Sequence, residues 1–134
     1  MRYGAPAFLL GWLITFVLIC LGLAGVTEVT ATTPGSISGW TSFPIYLVFG
    51  FPVAAILGLP FAIVIAWPLR RVQSQWLHVG VHGLATGAAV WTVMTALGGW
   101  TAPVPGLLFG SLFTFSAAAG RASVIKLVAR RNAR

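Results

Sequence analysis

The stretch SFPIYLVFGFPVAAILGLPFAIVIAWP, residues Ser42 to Pro68, decides the fold class, and no charged side chain interrupts it. Prolines recur at 44, 52, 60 and 68, one every eight residues. Small residues recur at Gly50, Ala54, Gly58, Ala62 and Ala66, one every four. About 20 apolar residues of α-helix cross a hydrocarbon core of about 30 Å. From Pro44 to Trp67 the stretch would reach about 36 Å if straight, so tilt or bending is expected. Pro52 and Pro60 remove the donors that would serve the carbonyls of Val48 and Ile56. Each proline lies about 200° around the helix from the small residue two positions before it. The expectation is a membrane span bowed around a neighbour, with the small-residue groove on its concave face.

Composition extends this reading to the whole chain. Of 134 residues, 58% are hydrophobic and 7% are charged. A soluble domain carries about 25% charged residues, so this chain cannot solvate a globular surface. A β-barrel would show short alternating strands, and none appear. The class is an all-α polytopic membrane protein, a single domain over 1–134. Its four helices are expected at about 6–26, 44–67, 75–97 and 104–120, packed as a compact bundle, with a basic tail at 121–134. A signal peptide is the rival reading of the first span. That run is longer than the roughly 7–15 apolar residues of a signal core, and Trp12 suits an interfacial anchor.

Between the first two spans, Thr27 to Thr41 is the only long polar segment. It holds Glu28, the sole acid, and a Pro34-Gly35 turn signal. Thr41 or Ser42 is expected to cap the second span, with Pro44 in its first turn, where a missing N–H costs nothing. Ser74 is expected to cap the third.

Four spans put both ends on one side. That side receives Arg2, Arg70, Arg71, Arg121, Lys126, Arg130, Arg131 and Arg134, which is every basic residue, and the other receives only Glu28. The positive-inside rule then makes both termini cytoplasmic. Trp67 and Trp76 bracket the inner loop, and Trp40 and Trp100 mark the outer interface. The net charge of +7 therefore reads as Arg70, Arg71, Arg121, Lys126, Arg130, Arg131 and Arg134 meeting anionic lipid headgroups. Nucleic acid is not an expected partner. Seven Arg against one Lys, with abundant Ala and Gly, fits a high-GC bacterial genome and hence an inner-membrane location.

Leucine gains little by packing on leucine in lipid, so close helix contact relies on small residues. The second span offers Gly50, Ala54, Gly58, Ala62 and Ala66. The third offers Gly80, Gly83 and Gly87. The fourth offers Gly106 and Gly110, continued by Thr114 and Ala118, and the first offers Gly11 and Thr15.

Chemistry has few candidates. His78 and His82 share a face of the third span with Gln75 and Thr86, within about 80° of arc. Ser111 and Thr114 of the fourth span fall at similar depth, so these residues define a candidate polar pathway. The competing readings are neutral histidines bonded to hydroxyls or carbonyls, and a proton relay. Two histidines at i, i+4 can share a metal, but nothing completes a site. No cofactor is implied. Cys20, alone, excludes an internal disulfide, and no paired carboxylate or nucleophile–base constellation is present. The expected function is an accessory or structural subunit without catalytic activity, acting through helix packing against a second copy or another membrane protein. The alternative is a small transporter or channel using His78, His82, Thr86, Ser111 and Thr114.

The topology has a direct check. In a Cys20→Ala background, Ser36→Cys is expected to react with a membrane-impermeant maleimide on intact cells. Asn132→Cys is expected to react only after permeabilisation, and the reverse pattern would invert the orientation.

Overall fold

The structure, a computed structural model, describes residues 5–69, 74–98 and 103–125. Arg2, Arg70, Arg71, Trp100, Lys126, Arg130, Arg131 and Arg134 lie outside the described residues, so the headgroup contacts expected of these cations do too. The described chain is helical: α1 (Ala5–Thr30), α2 (Gly39–Val53), α3 (Leu59–Leu69), α4 (Gln75–Gly98) and α5 (Pro103–Ser123). One turn of π-helix, Ala54–Gly58, joins α2 to α3. Three stretches are long and apolar enough to cross a membrane: Pro6–Thr30, Gly39–Pro68 and Trp76–Gly98. Their many exposed Leu, Ile, Val and Phe side chains suit a lipid surround. The fourth expected span folds as α5.

The π turn lies between Pro52 and Pro60. Within it the Leu59 N–H bonds the Ala54 carbonyl, five residues back. Proline has no N–H to offer and its ring presses on the carbonyl four residues before it. A widened turn just ahead of Pro60 is one way a helix absorbs that conflict.

Two expectations about the first connection need correction. The helix caps at Ser38, and neither Thr41 nor Ser42 serves: the Ser38 hydroxyl accepts from the Trp40 N–H at 3.2 Å. Pro44 consequently stands inside α2, and not in its first turn. Glu28, expected in a free polar loop, belongs to the last turns of α1, which runs on to Thr30. Its carboxylate accepts from the Ser38 hydroxyl at 2.6 Å and from the Gly39 N–H at 2.8 Å. An anion at the opening of a helix meets unsatisfied N–H groups and the positive end of the dipole. The only acid in the chain thus fastens the end of α1 to the start of α2. Thr27 and Tyr46, with oxygens 2.8 Å apart, add a second cross-link. Ser74 caps α4 as expected, accepting from the Leu77 N–H at 3.4 Å.

The main packing contacts run α4 to α5, α5 to α1, and α1 to α2, while α3 meets α4 only lightly. Glycines set the closest approaches. A Cβ on Gly87 would overlap the Thr114 hydroxyl and stand 2.7 Å from the Gly110 carbonyl oxygen. One on Gly83 would lie 3.0 Å from the Thr114 carbonyl and 3.3 Å from Ala118. A Cβ on Gly106 would stand 3.1 Å from the Trp91 ring. A Cβ on Gly120 would overlap Thr15 and stand 2.6 Å from the Gly11 carbonyl, which closes α5 on α1. At Gly39 a Cβ would overlap the Ala24 carbonyl, which closes α2 on α1. Gly80, grouped with Gly83 and Gly87 in the sequence, meets nothing within 4 Å.

The second span behaves differently. A Cβ on Gly50 would stand 3.3 Å from the Phe16 ring, and one on Gly58 would stand 3.4 Å from the Trp12 indole nitrogen. Ala62 is buried, and Ala54 and Ala66 are half-buried. Here the small residues receive aromatic rings from α1, with no neighbouring backbone against them. Trp12, read from sequence as an interfacial anchor, stacks on Phe16 at 6.1 Å, and both meet Phe51 edge-on at 5.8 Å. Among residues 39–68 only Gly39, Ser42 and Ala62 are buried.

The cap is testable by amide exchange. Glu28→Ala is expected to accelerate exchange at Gly39 by about tenfold or more. Glu28→Gln, which keeps an acceptor but loses the charge, should fall between that variant and the parent. Unchanged exchange in Glu28→Ala would remove the carboxylate from the cap.

Candidate functional site

Because α3 and α4 barely touch, the helices leave an open cleft of about 760 Å³ between the second span and α4, with α1 and α5 behind it. The α1 wall carries Trp12, Phe16, Ile19 and Leu23, and the opposite edges carry Phe49, Val53, Leu57, Val93 and Met94. Several of these edge side chains are exposed, so the cleft opens laterally. Its size falls within the roughly 300–1,000 Å³ of small-molecule pockets.

Polar side chains are few. Thr15 donates to the Gly11 carbonyl at 2.9 Å and Thr86 to the His82 carbonyl at 2.8 Å, so both hydroxyls are spent on their own helices. Tyr46 is engaged with Thr27. The remaining two are His82 and Arg121, 9% and 5% exposed, at the end of the cleft near the start of α4 and the end of α5. Their proximity follows from the seam between those helices: Gly83 meets Thr114 and Ala118, which puts Arg121 about one helical turn from His82. The guanidinium carbon of Arg121 stands 5.6 Å from the centroid of the Phe8 ring, a cation–π distance.

The five residues of the expected polar pathway do not gather in one place. His82 and Thr86 line the cleft. His78 is buried one turn away, with its Nδ1 2.8 Å from the Ser74 carbonyl oxygen. Thr114 lies in the α4–α5 seam and donates to the Gly110 carbonyl at 2.8 Å. Ser111 is exposed and donates to the Leu108 carbonyl at 2.8 Å. Each of the three hydroxyls bonds a carbonyl of its own helix, and glycine contacts fill the seam between α4 and α5. His82 differs from His78, because its Nδ1 is enclosed and has no hydrogen-bond partner among the described residues.

Arg121, grouped in the sequence with the tail cations, is 5% exposed, which the sequence did not show. The signal available in the sequence was its neighbourhood: AAAG before it and ASVI after it continue the apolar and small pattern of α5. Buried Val124 packs on Gly11 one turn later. Among the described residues, no three His, Cys, Asp or Glu side chains lie close enough to hold a metal ion. No known protein family, curated protein or solved structure matches this chain.

Proposed function

We propose that this chain is a four-span protein of a bacterial inner membrane, with both termini cytoplasmic, acting as a non-catalytic accessory or structural subunit. In this reading α5 crosses the bilayer with the other three spans to complete a bundle. The partner is a second copy or another membrane protein, held through the second span. One observation carries the reading. Gly39–Pro68 is a 30-residue apolar helix that buries almost nothing within its own chain, while the α1–α5 and α4–α5 seams close at glycine contact. The face of that helix carrying Val48, Ile56 and Val64 is exposed, and it is the face offered to a partner.

The transporter or channel reading draws less support. Its five polar residues are dispersed, and the cleft they partly reach has mainly apolar walls. Replacing His78 and His82 together by Leu is expected to leave assembly intact.

Val48, Ile56 and Val64 are exposed large side chains on the second span. Tryptophan at all three is expected to abolish the higher-order band or co-purifying partner in mild detergent. The thermal midpoint of the chain itself should stay within a few degrees. A parent protein that runs as a lone monomer, or a triple variant that keeps its partner, would contradict the reading.

A further inference from the structure

The second span is firmly fixed on one side of its π turn and lightly held on the other. Before the turn, α2 is fastened to α1. Glu28 accepts from the Ser38 hydroxyl and the Gly39 N–H, and Thr27 meets Tyr46. The Gly39 backbone lies against the Ala24 carbonyl, and the Phe51 ring meets Trp12 and Phe16 edge-on just ahead of the turn. After the turn, Ala62 is the only buried residue as far as Pro68, and the contact of α3 with α4 is light. Backbone hydrogen bonding is interrupted between the two parts. The Leu59 N–H bonds the Ala54 carbonyl and not that of Ala55, and Pro60 has no N–H for Ile56. Two successive carbonyls therefore lose the donor that a continuous α-helix would give them. Helices change direction at prolines and π turns, where such gaps occur.

We propose that the π turn Ala54–Gly58 is a hinge and that α3 is a lateral gate on the cleft. α3 supplies Phe61 and Ala62 to one edge of the cleft, and α4 supplies His82, Thr86 and Ala89. From Leu59 to Leu69 the helix is about 16 Å long. A swing of about 20° at the turn carries its far end about 6 Å, roughly half the diameter of a helix. α2 does not follow, because Phe51 is held against the rings of Trp12 and Phe16. The swing disturbs little packing. Phe61, Ile63 and Val64 are exposed, so in a bilayer they exchange one lipid contact for another. Elements with few buried contacts are the ones that move at low free-energy cost. Gly58, with no side chain, keeps the turn itself pliable. The hinge depends neither on the subunit reading nor on the direction in which the chain crosses the membrane, because it is set by hydrogen bonds and contacts within one chain.

The test is methyl relaxation dispersion on the alanine-methyl-labelled full chain in bicelles, which reads exchange on the microsecond-to-millisecond scale. Ala62 and Ala66 on α3, and Ala89 on the α4 edge of the cleft, should exchange at one common rate. Ala24 and Ala118, at the glycine seams, should show no exchange. Pro60→Ala restores a donor for the Ile56 carbonyl and should reduce the dispersion amplitude at Ala62 and Ala66 by about threefold or more. Gly58→Ala stiffens the same turn and should act in the same direction. Its Cβ would stand 3.4 Å from the Trp12 indole nitrogen, an ordinary contact, so it serves if Pro60→Ala fails to fold. Flat profiles at Ala62 and Ala66 would overturn the proposal. So would dispersion at the same rate at Ala24 and Ala118, because the whole bundle would then be breathing. Exchange on α3 with none at Ala89 would overturn the gate, because the swing would not reach the cleft. Exchange that neither variant reduces would overturn the hinge.

Discussion

The closest contacts in this protein are made where a single methyl group would not fit. Gly87 against Gly110 and Thr114, Gly120 against Gly11 and Thr15, and Gly39 against Ala24 each bring a backbone to a neighbouring carbonyl. Inside a bilayer there is little to gain from burying Leu against Leu, because lipid is equally apolar. Dispersion, weak Cα–H to carbonyl contacts and shape must supply the association, and all three fall steeply with separation. The seams follow from that constraint. Through them α5 holds α4 on one side and α1 on the other, and α1 holds the start of α2.

The second span follows a different rule, and the cleft results from it. Its small residues accommodate Trp12 and Phe16, so a layer of aromatic rings keeps its backbone away from α1. With the π turn at Ala54–Gly58 and only light contact between α3 and α4, the ring of helices stays open on that side. Tight seams on one flank and a spacer of rings on the other produce a slot that the chain does not fill.

Much of this was legible in the sequence because it depends on spacing along one helix. Gly83-xxx-Gly87 and Gly106-xxx-Gly110 marked close-packing faces without naming their partner, and Ser74 announced its own cap. Apolar length announced four spans, of which three are long and apolar enough to cross a membrane. What sequence could not show were meetings between helices. Glu28 looked isolated because its partners, Ser38 and Gly39, depend on α1 running on to Thr30. Arg121 looked like one more tail cation, because its neighbour Phe8 arrives from α1. The groove of the second span showed the right periodicity but not whether backbone or rings would enter it. Ser111 and Thr114 shared a depth with His82, yet depth does not fix direction, and only His82 and Thr86 face the cleft.

The glycine seams are most directly tested by comparing one added methyl at Gly87 and at Gly80, which share a helix. Reversible unfolding in bicelles would report both. If backbone contact organises the fold, Gly87→Ala costs about 1–3 kcal/mol through overpacking. Gly80→Ala, facing open space, is neutral or stabilising by up to about 1 kcal/mol through helix propensity. Equal effects at the two positions would contradict the account.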